Sequence, residues 1–122
     1  MILIIDDSSF QRRMFLEWIQ AEGYETDEAA DGLAGLAKFK ERQPDLILSD
    51  LLMPRMGGLE LLEALSGEGA TVPVIIITSN KQKTVRERCL SLGAVAVIHK
   101  PPDEQQLLAL IRETLEERAG KA

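Results

Sequence analysis

The chain has 122 residues, 45% of them hydrophobic and 28% charged, ordinary values for one soluble globular domain. A chain of this size buries roughly two-thirds of its unfolded surface, so no disulfide or structural metal is needed to hold it, and the single cysteine, Cys89, has no internal partner. A formal net charge of −6 repels polyanions and excludes direct binding of DNA or of an acidic membrane surface as the expected activity.

The apolar pattern switches repeatedly between short continuous runs and helix-spaced stretches. Met1 to Ile5 is a strand, too short for a signal peptide or a membrane span, so the expected location is the cytoplasm. Ser8 or Ser9 caps a helix whose apolar positions Phe10, Met14, Phe15, Trp18 and Ile19 recur at helical spacing until Gly23 stops it. Tyr24 to Ala29 is a weaker strand, nearer an edge. Asp31 opens a second helix carrying Leu33, Leu36 and Phe39. Pro44 ends the loop after it, and Leu46 to Leu48 is again strand, in a run that closes on Asp50. Gly58 to Leu65 reads as a third helix and Val72 to Ile77 as the most hydrophobic strand. Thr84 to Leu92 is a helix, Ala94 to Ile98 a strand, and Asp103 to Arg118 the last helix.

Five strands alternating with five helices predict a parallel sheet wound on both faces, because each crossover is right-handed. No repeat, low-complexity tract or linker divides residues 1–122, so one α/β domain is expected. In such a sheet, ligands gather beyond the carboxyl ends of the strands, where strand order reverses. Strand one ends in Asp6 and Asp7, strand three in Asp50, strand four in Thr78 and Ser79, and strand five in His99 and Lys100.

Three crowded carboxylates repel one another, and a divalent cation removes the conflict. Mg²⁺ takes oxygen ligands, keeps several waters and is usually held by one or two carboxylates together with a phosphate; Mn²⁺ is the natural substitute. Asp7 and Asp50 are candidate direct ligands, Asp6 a ligand through water, and the Leu52 backbone carbonyl a neutral third position. A carboxylate can also attack phosphorus and carry an aspartyl phosphate, which makes Asp50 the candidate acceptor. Phosphoryl transfer is mainly positioning and countercharge, roles open to Lys100 and to the Thr78 hydroxyl.

Each signal also has a plain structural reading. Acids at a helix N-terminus are favoured by its dipole, which alone would account for Asp6-Asp7, and Asp50 could cap a turn. Only convergence with Lys100 outweighs those readings. Gly57-Gly58 is too short to cradle a phosphate and reads as turn chemistry freeing the loop after Pro54. His99 reads as a surface or packing residue and Cys89 as a small helix hydrophobe. Phe15 and Trp18 read as core of the first helix, whose apolar face Leu16 and Phe10 widen.

These motifs, taken in order, carry a family resemblance: Asp6-Asp7, Asp50 followed by Met53-Pro54 and Gly57-Gly58, Thr78, then Lys100-Pro101. The whole chain resembles the receiver domain of bacterial two-component response regulators, those of chemotaxis among them. The resemblance implies the flavodoxin-like strand order 2-1-3-4-5 and a cis peptide between Lys100 and Pro101. It implies Mg²⁺-dependent transfer from the phosphohistidine of a histidine kinase or phosphotransfer protein to Asp50. The domain would catalyse its own phosphorylation and dephosphorylation without being a turnover enzyme. Its first helix would help dock the phosphodonor, and phosphorylation would switch partner binding through the helix 4, strand 5 and helix 5 surface.

Two positions depart from the pattern. An aromatic residue usually stands three positions before the lysine, where this chain has Val97, and Pro102 also replaces a common aromatic. Both put output geometry in question and leave the phosphotransfer set complete. The resemblance also implies that Leu52 and Asn80, two residues after Asp50 and Thr78, flank the water that would hydrolyse a phosphoaspartate. Rival readings are a pseudo-receiver that binds without being phosphorylated, and an aspartyl-phosphate hydrolase, which would commonly carry an acid at position 52. No output domain is read in the sequence. The cognate kinase, the response controlled, a longer parent protein and dimerisation through the last two helices all stay open.

Overall fold

The short apolar runs lie side by side and the helix-spaced stretches wrap over them. In the computed structural model, which describes residues 1–120, the strands are β1 (Ile2–Ile5), β2 (Thr26–Ala29), β3 (Leu46–Asp50), β4 (Val74–Thr78) and β5 (Ala96–His99). They form one five-stranded sheet, every pairing parallel, in the order β2-β1-β3-β4-β5. The helices α1 (Ser9–Ala21), α2 (Gly32–Glu41), α3 (Gly58–Gly67), α4 (Lys83–Ser91) and α5 (Glu104–Gly120) alternate with them. This is the doubly wound, flavodoxin-like α/β arrangement that the alternating pattern predicts.

Side-chain alternation along the strands decides which helices cover which face. Leu3 and Ile5 of β1, Ile47 of β3, Ile76 of β4 and Val97 of β5 pack with Phe39, Leu61, Leu65 and Cys89 of α2, α3 and α4. Ile2, Ile4, Leu46, Leu48, Ile75 and Ile77 point the other way, onto Phe15 and Ile19 of α1 and Leu107 and Ile111 of α5. Covering on both faces is why the inner strands read as unbroken apolar runs. β2 is the polar exception, an edge strand whose Asp27 accepts from the Lys38 ammonium of α2 at 2.8 Å.

Element ends follow from local hydrogen bonds. Ser8, not Ser9, caps α1, its hydroxyl accepting from the Gln11 N–H at 3.2 Å. Asp31 caps α2 through Ala34 N–H, and Asp103 accepts from Gln106 N–H just before α5. β5 begins at Ala96 rather than Ala94 because Ala94 still closes the preceding helix. Its N–H donates to the Cys89 carbonyl while Gly93 sits at φ 107°. The Lys100–Pro101 peptide is cis.

Gly57-Gly58 corrects one expectation. Gly57 is in ordinary extended backbone at φ −87°, and neither glycine has a positive φ. What they supply is room: a Cβ at Gly57 would lie 2.8 Å from the Leu51 carbonyl, and one at Gly58 would lie 2.7 Å from the Asp50 carbonyl. The left-handed residue of this loop is Arg55, at φ 69°.

Candidate functional site

Because β1 and β3 are neighbours in the sheet and β4 and β5 follow, the ends of four strands open onto one edge. Asp6 and Asp7 leave β1, Asp50 ends β3, Thr78 ends β4, and Lys100 follows the last residue of β5. One carboxylate oxygen from each of Asp6, Asp7 and Asp50 can be chosen so that all lie within 4.8 Å of one another. The Lys100 Nζ sits 3.3 Å from Asp6 Oδ2 and 3.3 Å from Asp50 Oδ2. Asp6 and Thr78 are buried, Asp50 and Lys100 half-buried, and Asp7 is exposed.

The acids also do the local work that a plain structural reading assigns them. Asp6 Oδ1 accepts from Ser8 N–H at 2.9 Å, and Asp50 Oδ1 accepts from Leu51 N–H at 2.8 Å. Each keeps its Oδ2 for Lys100, so a turn-capping role and a place in the acidic cup coexist. The Thr78 hydroxyl accepts from Asn80 N–H at 3.0 Å.

Two arginines went unmarked in the sequence. Arg12, in the first turn of α1, donates to the Asp6 carbonyl at 2.7 Å and to Glu28 of β2 at 2.8 Å, holding the end of β1 from outside. Arg55 reaches Asp31. The signal that could have found Arg12 is its place one turn past the Ser8 cap, facing back toward the acid pair.

Of the remaining candidates, Leu52 is 75% exposed on the β3–α3 loop. Phe10 is also 75% exposed, an apolar ring left on the surface where it widens the face of α1, whereas Phe15 is buried with Trp18 edge-on against it at 5.8 Å. Val97 is buried, and its carbonyl accepts from Arg86 at 3.3 Å. His99 is half-buried with its Nε2 inside and unpartnered. Cys89 is buried and free, and burial pushes its thiol up.

Burial pushes the Asp50 carboxyl above the ordinary carboxylate range, Asp6 adds to the rise, and Lys100 opposes it. A carboxyl whose folded pKa is raised holds its proton more tightly when folded, so its contribution to stability falls as pH climbs through that raised value. Asp50→Asn should therefore raise the melting temperature of the metal-free protein by a few degrees at pH 7, with the gap closing toward pH 4. Melting curves at both pH values check this; a variant melting at or below the native chain at pH 7 contradicts it. The same excess of negative charge fits a divalent cation, since three acids face one ammonium and all the donors are hard oxygens.

Residues 2–112 match the family model of the response regulator receiver domain. The chain belongs to that family. It is 34% identical over 115 residues to the sensor histidine kinase RcsC of Escherichia coli K12, covering 94% of this chain and 12% of the kinase. The receiver thus spans about an eighth of that relative. A CheY-like receiver domain from Methanospirillum hungatei superposes with a TM-score of 0.93 at 33% identity, over 99% of this chain and 97% of that one. CheY of Borrelia burgdorferi, solved in complex with CheX, BeF3 and Mg²⁺, gives a TM-score of 0.87 at 30% identity, over 92% and 86%. No described helix is long and apolar enough to cross a membrane.

Proposed function

We propose that residues 1–122 act as one phosphoacceptor receiver domain in the cytoplasm. It takes a phosphoryl group from the phosphohistidine of a histidine kinase or phosphotransfer protein onto Asp50. The observation that carries this reading is the juxtaposition of Asp50 with Asp6, Asp7 and Lys100 at one sheet edge. Mg²⁺, held by Asp7, Asp50 and the Leu52 carbonyl with Asp6 bridging through water, would neutralise phosphoryl charge there. The Borrelia relative, solved with Mg²⁺ and BeF3, supports that choice of ion.

The chain's own residues do the rest. An Asp50 carboxylate oxygen forms the new bond to phosphorus, and the phosphorus–nitrogen bond breaks with its electron pair leaving on the donor imidazole. Lys100 supplies a point charge to one equatorial oxygen, and the Thr78 hydroxyl donates to another. Drawing Thr78 and Lys100 onto a bound dianion moves the ends of β4 and β5. Val97 is locked in the core with no ring to swing. The response therefore travels as a shift of the α4–β5–α5 surface, toward partners of the kind that CheX is for the Borrelia protein.

Incubation with Mg²⁺ and acetyl phosphate, read by intact mass, tests the reading: one phosphoryl group per chain is expected. No label would favour the pseudo-receiver, and steady turnover of a generic phosphate ester would favour the hydrolase. Leu52, apolar, exposed and two residues beyond Asp50, should shield the aspartyl phosphate from water. Leu52→Asn is expected to shorten its lifetime several-fold; an unchanged decay rate would reject that role.

A further inference from the structure

We propose that Arg55, outside the acidic cup, is a positioning residue for it. Its ion pair with Asp31 clamps the β3–α3 loop so that the Leu52 carbonyl is held ready to complete the ligand set. The inference rests on the Mg²⁺ site proposed above. The loop, residues 51–57, has no regular structure, and its ends are tied by backbone. Gly58 N–H donates to the Leu51 carbonyl at 2.7 Å, and Gly32 N–H donates to the Met56 carbonyl at 2.9 Å. Gly57 N–H also donates to the Glu60 carboxylate of α3 at 3.4 Å, and among the described residues the loop side chain that hydrogen-bonds to another element is that of Arg55. Its Nε and Nη2 donate to Asp31 Oδ2 at 2.9 and 2.6 Å.

Three features show that this contact is built into the fold. Arg55 adopts φ 69°, a left-handed conformation that non-glycine residues keep only where surrounding contacts hold it. Asp31 is buried and already spends Oδ1 on Ala34 N–H, so its carboxyl, held below the ordinary range first by that bond and then by Arg55, has one oxygen aimed at the loop. The first turn of α2 and the loop touch backbone to backbone, since a Cβ at Gly32 would lie 2.4 Å from the Met56 carbonyl. A carbonyl ligand is only as well placed as the loop that carries it, and a loop ordered beforehand need not be ordered by the ion.

Mg²⁺ chloride titrated into the full chain by calorimetry tests the clasp. Asp31→Asn keeps an acceptor for Ala34 N–H and loses the charge; Arg55→Gly accepts φ 69° without strain, so neither variant needs to unfold. Each is expected to weaken Mg²⁺ affinity about tenfold, the low end for losing an outer partner of a metal site. The double variant should lose no more than either single one, and Arg55→Lys should recover most of the affinity. At pH 7 the metal-free Asp31→Asn should melt below native, since a carboxyl held low in the fold contributes stability there, whereas Arg55→Gly, freed of its left-handed strain, should stay near native. An unchanged dissociation constant in Arg55→Gly, or losses that add in the double variant, would overturn the clasp while leaving the ion site standing. A native chain that binds no Mg²⁺ would overturn both.

Discussion

Asp50→Asn is expected to abolish phosphorylation by acetyl phosphate, while the native chain gains one phosphoryl group. The amide keeps the shape and can still accept from Leu51 N–H, as Asp50 Oδ1 does at 2.8 Å, so the fold should survive. What is lost is the anionic nucleophile and one of the three acids of the cup. Chelating the divalent ion should give the same blank with Asp50 intact, because an acceptor without countercharge faces an incoming phosphoryl group across a repulsive field. Lys100→Ala should be milder, leaving Asp50 able to accept but slower by about a hundredfold, the scale for removing one stabilising charge from a transition state. Intact mass and labelling rates on the four samples check the set. A phosphate that persists on Asp50→Asn would place the acceptor elsewhere and undo the proposed function.

Gly58→Ala should cost the fold about 2 to 3 kcal/mol and lower the melting temperature by about 10 °C, the range for forcing a methyl group into packed surroundings. A Cβ there would meet the Asp50 carbonyl at 2.7 Å, the Leu51 Cα at 3.1 Å and the Ile76 side chain at 3.3 Å. Two of those neighbours are backbone of the strand end that presents Asp50, so relief requires moving β3 or the start of α3. Gly67, in the last turn of the same helix, is the control: nothing lies within 4 Å of a Cβ there. Gly67→Ala should be neutral or gain up to about 1 kcal/mol through helix propensity. Equal effects at the two positions, measured by urea or thermal unfolding, would show that packing room is not what Gly58 supplies.

Several features were legible because their physics is local or periodic. The unbroken apolar run Val74 to Ile77 fits a strand covered on both faces, and α3 or α4 on one side and α1 or α5 on the other cover it. Asp6, Asp7, Asp50, Thr78 and Lys100 were legible as candidates because each falls at the end of a strand, and a parallel sheet sends all strand ends to one edge. Phe10 was legible as part of the apolar stripe of α1, but its exposure was not. Helical spacing says which side chains share a stripe but not where the neighbouring element ends, and at the first turn of α1 nothing covers the ring.

Chain order and apolar rhythm thus determined the alternation of elements, the doubly wound class and the short set of residues able to build a site, since these depend on periods of two and 3.6 and on strand direction. Tertiary structure alone decided the 3.3 Å approach of Lys100 to Asp6 and Asp50 and the raised carboxyl of Asp50. It also decided the backbone crowding that makes Gly57 and Gly58 necessary, and the clasp of Arg55 on Asp31. Each of these joins residues distant along the chain or depends on how close two backbones come, and such distances are set by packing in three dimensions.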